Sequence, residues 1–274
     1  MSSVRLTAVA LAFLLCIAAS ATAETLTKDT VWSGTVKVAG QVVVEKGATL
    51  TIRPGTKVVF MPGRQDDEGL SDSGIVVKGS IIAKGKPGAR ITFTSGTGMP
   101  KPGDWGEIKI FESPGSVFRD CDFSYGGWGL HVHESSVKVT RCTFTQNSFG
   151  GIRGKAGDLE VAHSRIEGMD IGLRYWKGSP YIHHNTITGN GTGIFLRQEC
   201  GGAKIKRNNI YGNSEYDVKL GDAQKEDVDL SRNWWGGTDT ALIRMKIFDR
   251  EREPYIGRAK VTPVLKRMVA VEIK

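Results

Sequence analysis

From residue 117 onward, apolar residues return at a fixed distance along the chain and not at a helical one. The heptapeptides VFRDCDF (117–123), KVTRCTF (138–144), EVAHSRI (160–166), YIHHNTI (181–187), KIKRNNI (204–210) and DLSRNWW (229–235) align without gaps. Their first apolar column reads Phe118, Val139, Val161, Ile182, Ile205, Leu230, at spacings of 21, 22, 21, 23 and 25 residues. A second column reads Phe123, Phe144, Ile166, Ile187, Ile210, Trp235, and between the two runs a small or amide column, Cys121, Cys142, Ser164, Asn185, Asn208, Asn233. Seven or eight residues later a further strand begins, its first inward residue being Leu130, Ile152, Leu173, Ile194 or Val218. Gly129, Gly151, Gly172 and Gly193 stand immediately before it.

No 3.6-residue period survives such a pattern, and the strands are too short for a meander of tight hairpins. A repeat of this length with two or three short strands fits one coil of a parallel β-solenoid. One coil cannot bury its apolar face alone, so coils stack about 4.8 Å apart and equivalent residues form ladders. The amide column then pairs with itself and with backbone, which suits buried Asn. The N-terminal half reads as less regular coils, GQVVVEKGATLTIRPGTKVVF (40–60) and GIVVKGSIIAKGKPGARITFTS (74–95), interrupted by polar inserts at 61–73 and 95–104. Both inserts follow equivalent strands, so they leave the same edge of the stack and form one rim. The expected fold is all-β, a single right-handed parallel β-helix of roughly eight or nine coils. Irregular coils occupy 30–115, regular repeats 116–235, a closing segment 236–265 and a tail 266–274.

The first 23 residues stand apart. A single Arg5, an apolar run and Ala21-Thr22-Ala23 before Glu24 read as a secretory leader with an A-x-A cleavage site. Its apolar run is too short to span a bilayer, and no later segment approaches that length. The expected location is therefore periplasmic or extracellular, as a monomer without a transmembrane segment. Three cysteines follow the leader, too few for a disulfide-stapled framework. Cys121 and Cys142 share a ladder column at disulfide range; buried free thiols are the first reading and a bridge the alternative. The net charge of +8 on an exported chain favours acidic polysaccharide or envelope surfaces over nucleic acid.

Several stretches resemble the exported right-handed parallel β-helix repeat proteins of the pectate-lyase-like and NosD-like superfamily. GATLTIRPGTKVVF resembles the family's first coil, GDWGEIKI (103–110) the opening of its regular coils, NTITGNGTGIFL its repeat, and RNWWGGTDTALIRMKIFD (232–249) with GRAKVTPVL (257–265) its closing coil. The resemblance implies the fold and not the function, because the architecture hosts lyases, hydrolases, epimerases, adhesins and binding proteins.

Two outward columns carry the candidate chemistry. One reads Asp120, Arg141, His163, His184, Arg207, Arg232, a basic edge where anions bind or where solvated charges simply stack. His163 over His184 offers two metal ligands, which alone do not make a site. The other pair of columns reads His131, Arg153, Arg174, Phe195, Lys219 and His133, Lys155, Trp176, Arg197. Arginine forks and aromatic platforms there suit an extended acidic glycan. Hence the expected ligand-binding residues are His131, Arg153, Arg174, Trp176, Phe195, Arg197, Arg141, His163, His184 and Arg207. No carboxylate pair of glycosidase type stands on the regular coils, and no catalytic residue is assigned. Asp120 and Asp122 are expected to pair with Arg141. Asp66, Asp67 and Asp72 in the first insert are weak Ca²⁺ candidates whose spacing fits no EF-hand loop, so no cofactor is expected. Binding without catalysis leads, a lyase or hydrolase with its site at the loop rim follows, and a structural or protein-interaction scaffold comes third.

Overall fold

The structure, a computed structural model, describes residues 20–271 except Asp222. Most of the expected leader, and the last three residues, lie outside this range. The chain winds into a right-handed parallel β-solenoid of about nine turns with almost no helix. Every strand pairing is parallel, apart from two isolated antiparallel bridges at 65/71 and 86/89.

Each coil contributes to three sheets. The first sheet collects Thr30–Trp32, Thr49–Ile52, Ser80–Lys84, Ser116–Arg119, Tyr181–His183 and Lys204–Lys206. The second includes Lys57–Phe60, Ile91–Ser95, Cys121–Ser124, Thr143–Thr145, Arg165–Glu167, Thr186–Thr188 and Asn209–Tyr211. The third includes Gly74–Val77, Ile108–Phe111, Ile171–Trp176, Thr192–Arg197, Tyr216–Gly221 and Ile247–Phe248. Two long strands, Trp128–Thr140 and Gly150–Ala162, run from the third sheet of one coil into the first sheet of the next.

The register is the one the columns predict. Leu130, Ile152, Leu173, Ile194, Val218 and Ile247 pair in succession and all are buried. Phe93, Phe123 and Phe144 stack in the core at 4.8 and 4.6 Å, which matches the coil rise. The amide column is a continuous ladder: Asn208 Nδ2 donates to Asn233 Oδ1 (3.0 Å) and to Ile182 O (2.9 Å), and Asn185 Nδ2 donates to Asn208 Oδ1 (3.0 Å). Asn190 and Asn213 build a second ladder at the next corner.

Three kinds of corner join the sheets, and they position everything outside the core. Between first and second sheets the chain turns on one left-handed residue per coil: Asp120, Arg141, His163, His184, Arg207 and Arg232, with φ from 50° to 60°. The basic column is therefore a row of bend residues. This turn points each long polar side chain off the edge while the next residue enters the amide ladder. Between second and third sheets, both polar inserts leave the same corner, so they do form one rim. The short helix Thr240–Met245 occupies the equivalent connection of the last coil, N-capped by Asp239. The tail is docked: Val269 N donates to Asn209 Oδ1 (2.8 Å) and Asn209 Nδ2 returns the bond to Val269 O (2.9 Å).

Candidate functional site

The outward face of the third sheet is a ladder of alternating cations and rings. Pairing places Lys109, His131, Arg153, Arg174, Phe195, Lys219 and Phe248 in one column. Phe111, His133, Lys155, Trp176 and Arg197 form the next. The guanidinium of Arg174 lies over Trp128 (5.2 Å) and Trp176 (5.6 Å), that of Arg197 over Trp176 (5.6 Å) and Phe195 (5.8 Å), and Lys219 Nζ over Phe195 (5.2 Å) and Phe248 (5.4 Å). Each contact restrains a long cationic side chain and lowers the entropy cost of presenting it. Near Trp128 the first insert overhangs this face. Leu70, Glu68, Phe149 and Arg174 line a groove of about 180 Å³ there.

Two expected rungs are not free. His131, expected to face solvent, is buried, and its Nδ1 lies 2.8 Å from Glu107 Oε1. Arg153 grips the other oxygen, Oε2, at 2.7 Å through a terminal nitrogen and at 3.0 Å through Nε. Burial alone would push the Glu107 carboxyl up. The bond and charge of His131 and the guanidinium of Arg153 outweigh it and hold the group below its ordinary value. Burial lowers His131, against the pull of Glu107, with Arg153 and Lys109 adding to the fall. An imidazole donating Nδ1–H to an ionised Glu107 satisfies both groups. His131 and Arg153 thus serve the frame of the face, and Arg174, Trp176, Phe195, Arg197 and Lys219 form its surface.

The basic edge divides into two parts. At one end Arg141 is spent on Asp120, at 2.6 and 2.7 Å, as the sequence suggests. Asp122 instead takes Arg90 (2.7 Å), which reaches it from the preceding coil. At the other end Tyr181, His183, His184, Lys206, Arg207, Asp229, Ser231, Arg232 and Pro263 line a groove of about 610 Å³. Pro263, Val264, Leu265 and Val269 of the docked tail wall its neighbour. Lys206 is paired with Asp229 and donates to Ser231 Oγ (2.9 Å). The Asp229 carboxyl falls to about 2, since its bonds from Lys206 and Ser231 outweigh burial. His184 is held below its ordinary value by burial, then by His183, His163 and Arg207.

The sequence places His163 over His184, and their rings do stack at 5.0 Å. It misses the third member. His183 Nδ1 lies 2.9 Å from His184 Nδ1, and one nitrogen from each of the three rings lies within 4.8 Å of the other two. In the first insert, Asp66 Oδ1 accepts from the Glu68 and Leu70 amides and Asp72 Oδ1 from the Arg64 amide, so both cap the loop's own backbone; Asp67 is exposed. Cys121, Cys142 and Cys200 are free and buried, which resolves the alternative left by the sequence in favour of thiols.

A family model described as right handed beta helix region matches residues 110–235, and one described as pectate-lyase like beta helix domain matches residues 24–115. The chain is a right-handed parallel β-helix, matched across 24–235 by these two models together. No curated protein and no solved structure matches it. Among the described residues, no helix of this β-helix protein is long and apolar enough to cross a membrane.

Glu107 is the residue of this face that reading by columns overlooked. Register places it in a column that reads Gly74, Glu107, Gly129, Gly151, Gly172, Gly193 and Asp217. The acid interrupts a column that glycine fills on most coils of the β-helix.

Proposed function

We propose that this β-helix protein acts outside the cytoplasm as a non-catalytic binder of an extended anionic polymer, an acidic polysaccharide or a comparable envelope surface, along the outward face of its third sheet. One observation carries the reading: Arg174, Trp176, Arg197, Phe195 and Lys219 interleave on successive coils. A regular cation spacing suits a polymer with regular anions, arginine offers paired donors to carboxylate or sulfate, and the rings offer stacking platforms to sugars. The positive net charge adds long-range attraction. The leader-like first 23 residues support export. A glycan array at two salt concentrations tests the proposal: acidic polymers should be retained and lost as salt rises, and an array without acidic binders refutes it.

A second reading rests on a different observation. Glu107, His131 and Arg153 converge beside the groove that Glu68 and Leu70 overhang, an acid, a base and a cation in one place. Cleavage of the bound polymer there would release new chain ends, and Glu107→Gln would abolish it. Their burial and mutual saturation favour the binding reading.

A further inference from the structure

We propose that His163, His183 and His184 bind a divalent first-row transition-metal ion such as Zn²⁺ through three imidazole nitrogens, with a fourth, exchangeable position on the groove beside Arg207.

Three independent features converge. The first is ligand placement. His163 and His184 occupy the same bend on successive coils, with φ of 50° and 55°, so the backbone turns both rings off one edge. His183, ending the strand Tyr181–His183, adds its ring from the adjacent residue. The separation of 2.9 Å between His183 Nδ1 and His184 Nδ1 approaches the roughly 3.3 Å edge of a tetrahedron with ~2.05 Å Zn–N bonds. One nitrogen of His163 completes a set within 4.8 Å.

The second feature is the support around His183. Its other nitrogen, Nε2, lies 3.4 Å from Glu160 Oε1, the carboxylate–histidine arrangement that orients a ligating imidazole and leaves Nδ1 for the metal. Tyr181 stacks on the same ring at 4.1 Å and restricts its rotation. Glu160 also brings negative charge to offset the cationic edge.

Third, the site is open on one side. His183 and His184 line the groove of about 610 Å³ together with Arg207 and Arg232, the next bend residues of the same column. Three nitrogen ligands with an accessible fourth position are the pattern of an exchangeable site, in contrast to the closed four-ligand cage of a structural zinc. The flanking guanidiniums suit an anion in the fourth position, a carboxylate or phosphate oxygen.

The test uses the untagged full chain, stripped with chelator and titrated with Zn²⁺ by calorimetry and with Co²⁺ by visible absorption. Stoichiometric binding is expected, with the Co²⁺ bands of a four- or five-coordinate nitrogen site. His163→Asn and His184→Asn keep the left-handed bend, which asparagine tolerates, so the fold persists while affinity falls about 100-fold or more. Glu160→Gln should weaken binding about 10–100-fold by loosening His183. Glu253→Gln, exposed in the closing segment, should leave the metal affinity unchanged. Absence of stoichiometric binding to the folded chain overturns the proposal, as does affinity that survives His183→Gln together with His184→Asn.

Discussion

Glu107 Oε2 lies 2.7 Å from a terminal nitrogen of Arg153, two coils further along the solenoid. The acid is 9% exposed and the guanidinium 16%, so the pair is largely out of water. Removing one member of such a pair costs more than replacing both, since the survivor stays charged and, for Glu107, only His131 remains. Arg153→Ala should therefore destabilise the fold by about 3–5 kcal/mol in urea unfolding, and Glu107→Gln/Arg153→Met together by much less. The same pair sets the acid limb. Both Glu107 and His131 are held below their ordinary values, so each contributes stability that is full above its unfolded value and is lost as pH falls through the folded one. Denaturation midpoints should drop first below about pH 6.5 and again below about pH 4.3, and Glu107→Gln should shrink the second drop while Asp229 and Glu160 keep their share.

The amide ladder makes a graded prediction. Asn208 donates to Ile182 O, Lys206 O and Asn233 Oδ1 and accepts from the Asn185 amide and side chain, all in the buried interior. Asn208→Ala strands several of these groups and should cost about 2–4 kcal/mol. Asn208→Ser should cost less, because Ser164 fills the same column and bonds both Cys142 N and Ala162 O. Equal losses for the two variants in chemical denaturation would mean that volume and not hydrogen bonding governs the column.

Two glycines separate close approach from backbone conformation. A Cβ on Gly172 would lie 2.5 Å from Gly193 O on the next coil, so Gly172→Ala must push coils apart and should cost about 1–3 kcal/mol. Gly168 has open space around it but φ of +75°. Tyr125 and Gln146 hold that corner in earlier coils with φ of 65° and 55°, so Gly168→Asn should be nearly neutral in thermal denaturation.

The coil pattern was legible because stacking repeats it: Ile182 above Val161 and below Ile205 is one environment sampled three times. The outward columns were legible as positions, and Arg174, Trp176 and Arg197 stand where counting puts them. Partners within one column, such as Asp120 and Arg141, were legible; partners across columns were not. Glu107 reaches across two coils to Arg153, and an insert separates it from the regular repeat, so no spacing rule connects them. His183 belongs by alternation to a different column from His184; the left-handed bend at His184 brings their rings together, and that bend is conformational and not compositional. The docking of Val269 on Asn209 spans sixty residues and leaves no periodic trace.

The central claim is that the third-sheet ladder is a binding face, and the direct measurement is a titration of the protein with an acidic polysaccharide at low and physiological salt. Arg174→Ala/Trp176→Ala/Arg197→Ala leaves the Glu107–Arg153 frame intact and should weaken binding about tenfold or more, with a shallower salt dependence. Lys37→Ala/Arg53→Ala/Lys57→Ala, exposed cations outside that sheet, removes more charge and should leave the affinity nearly unchanged. Equal losses in the two triple variants, or full affinity in the first, would contradict the account.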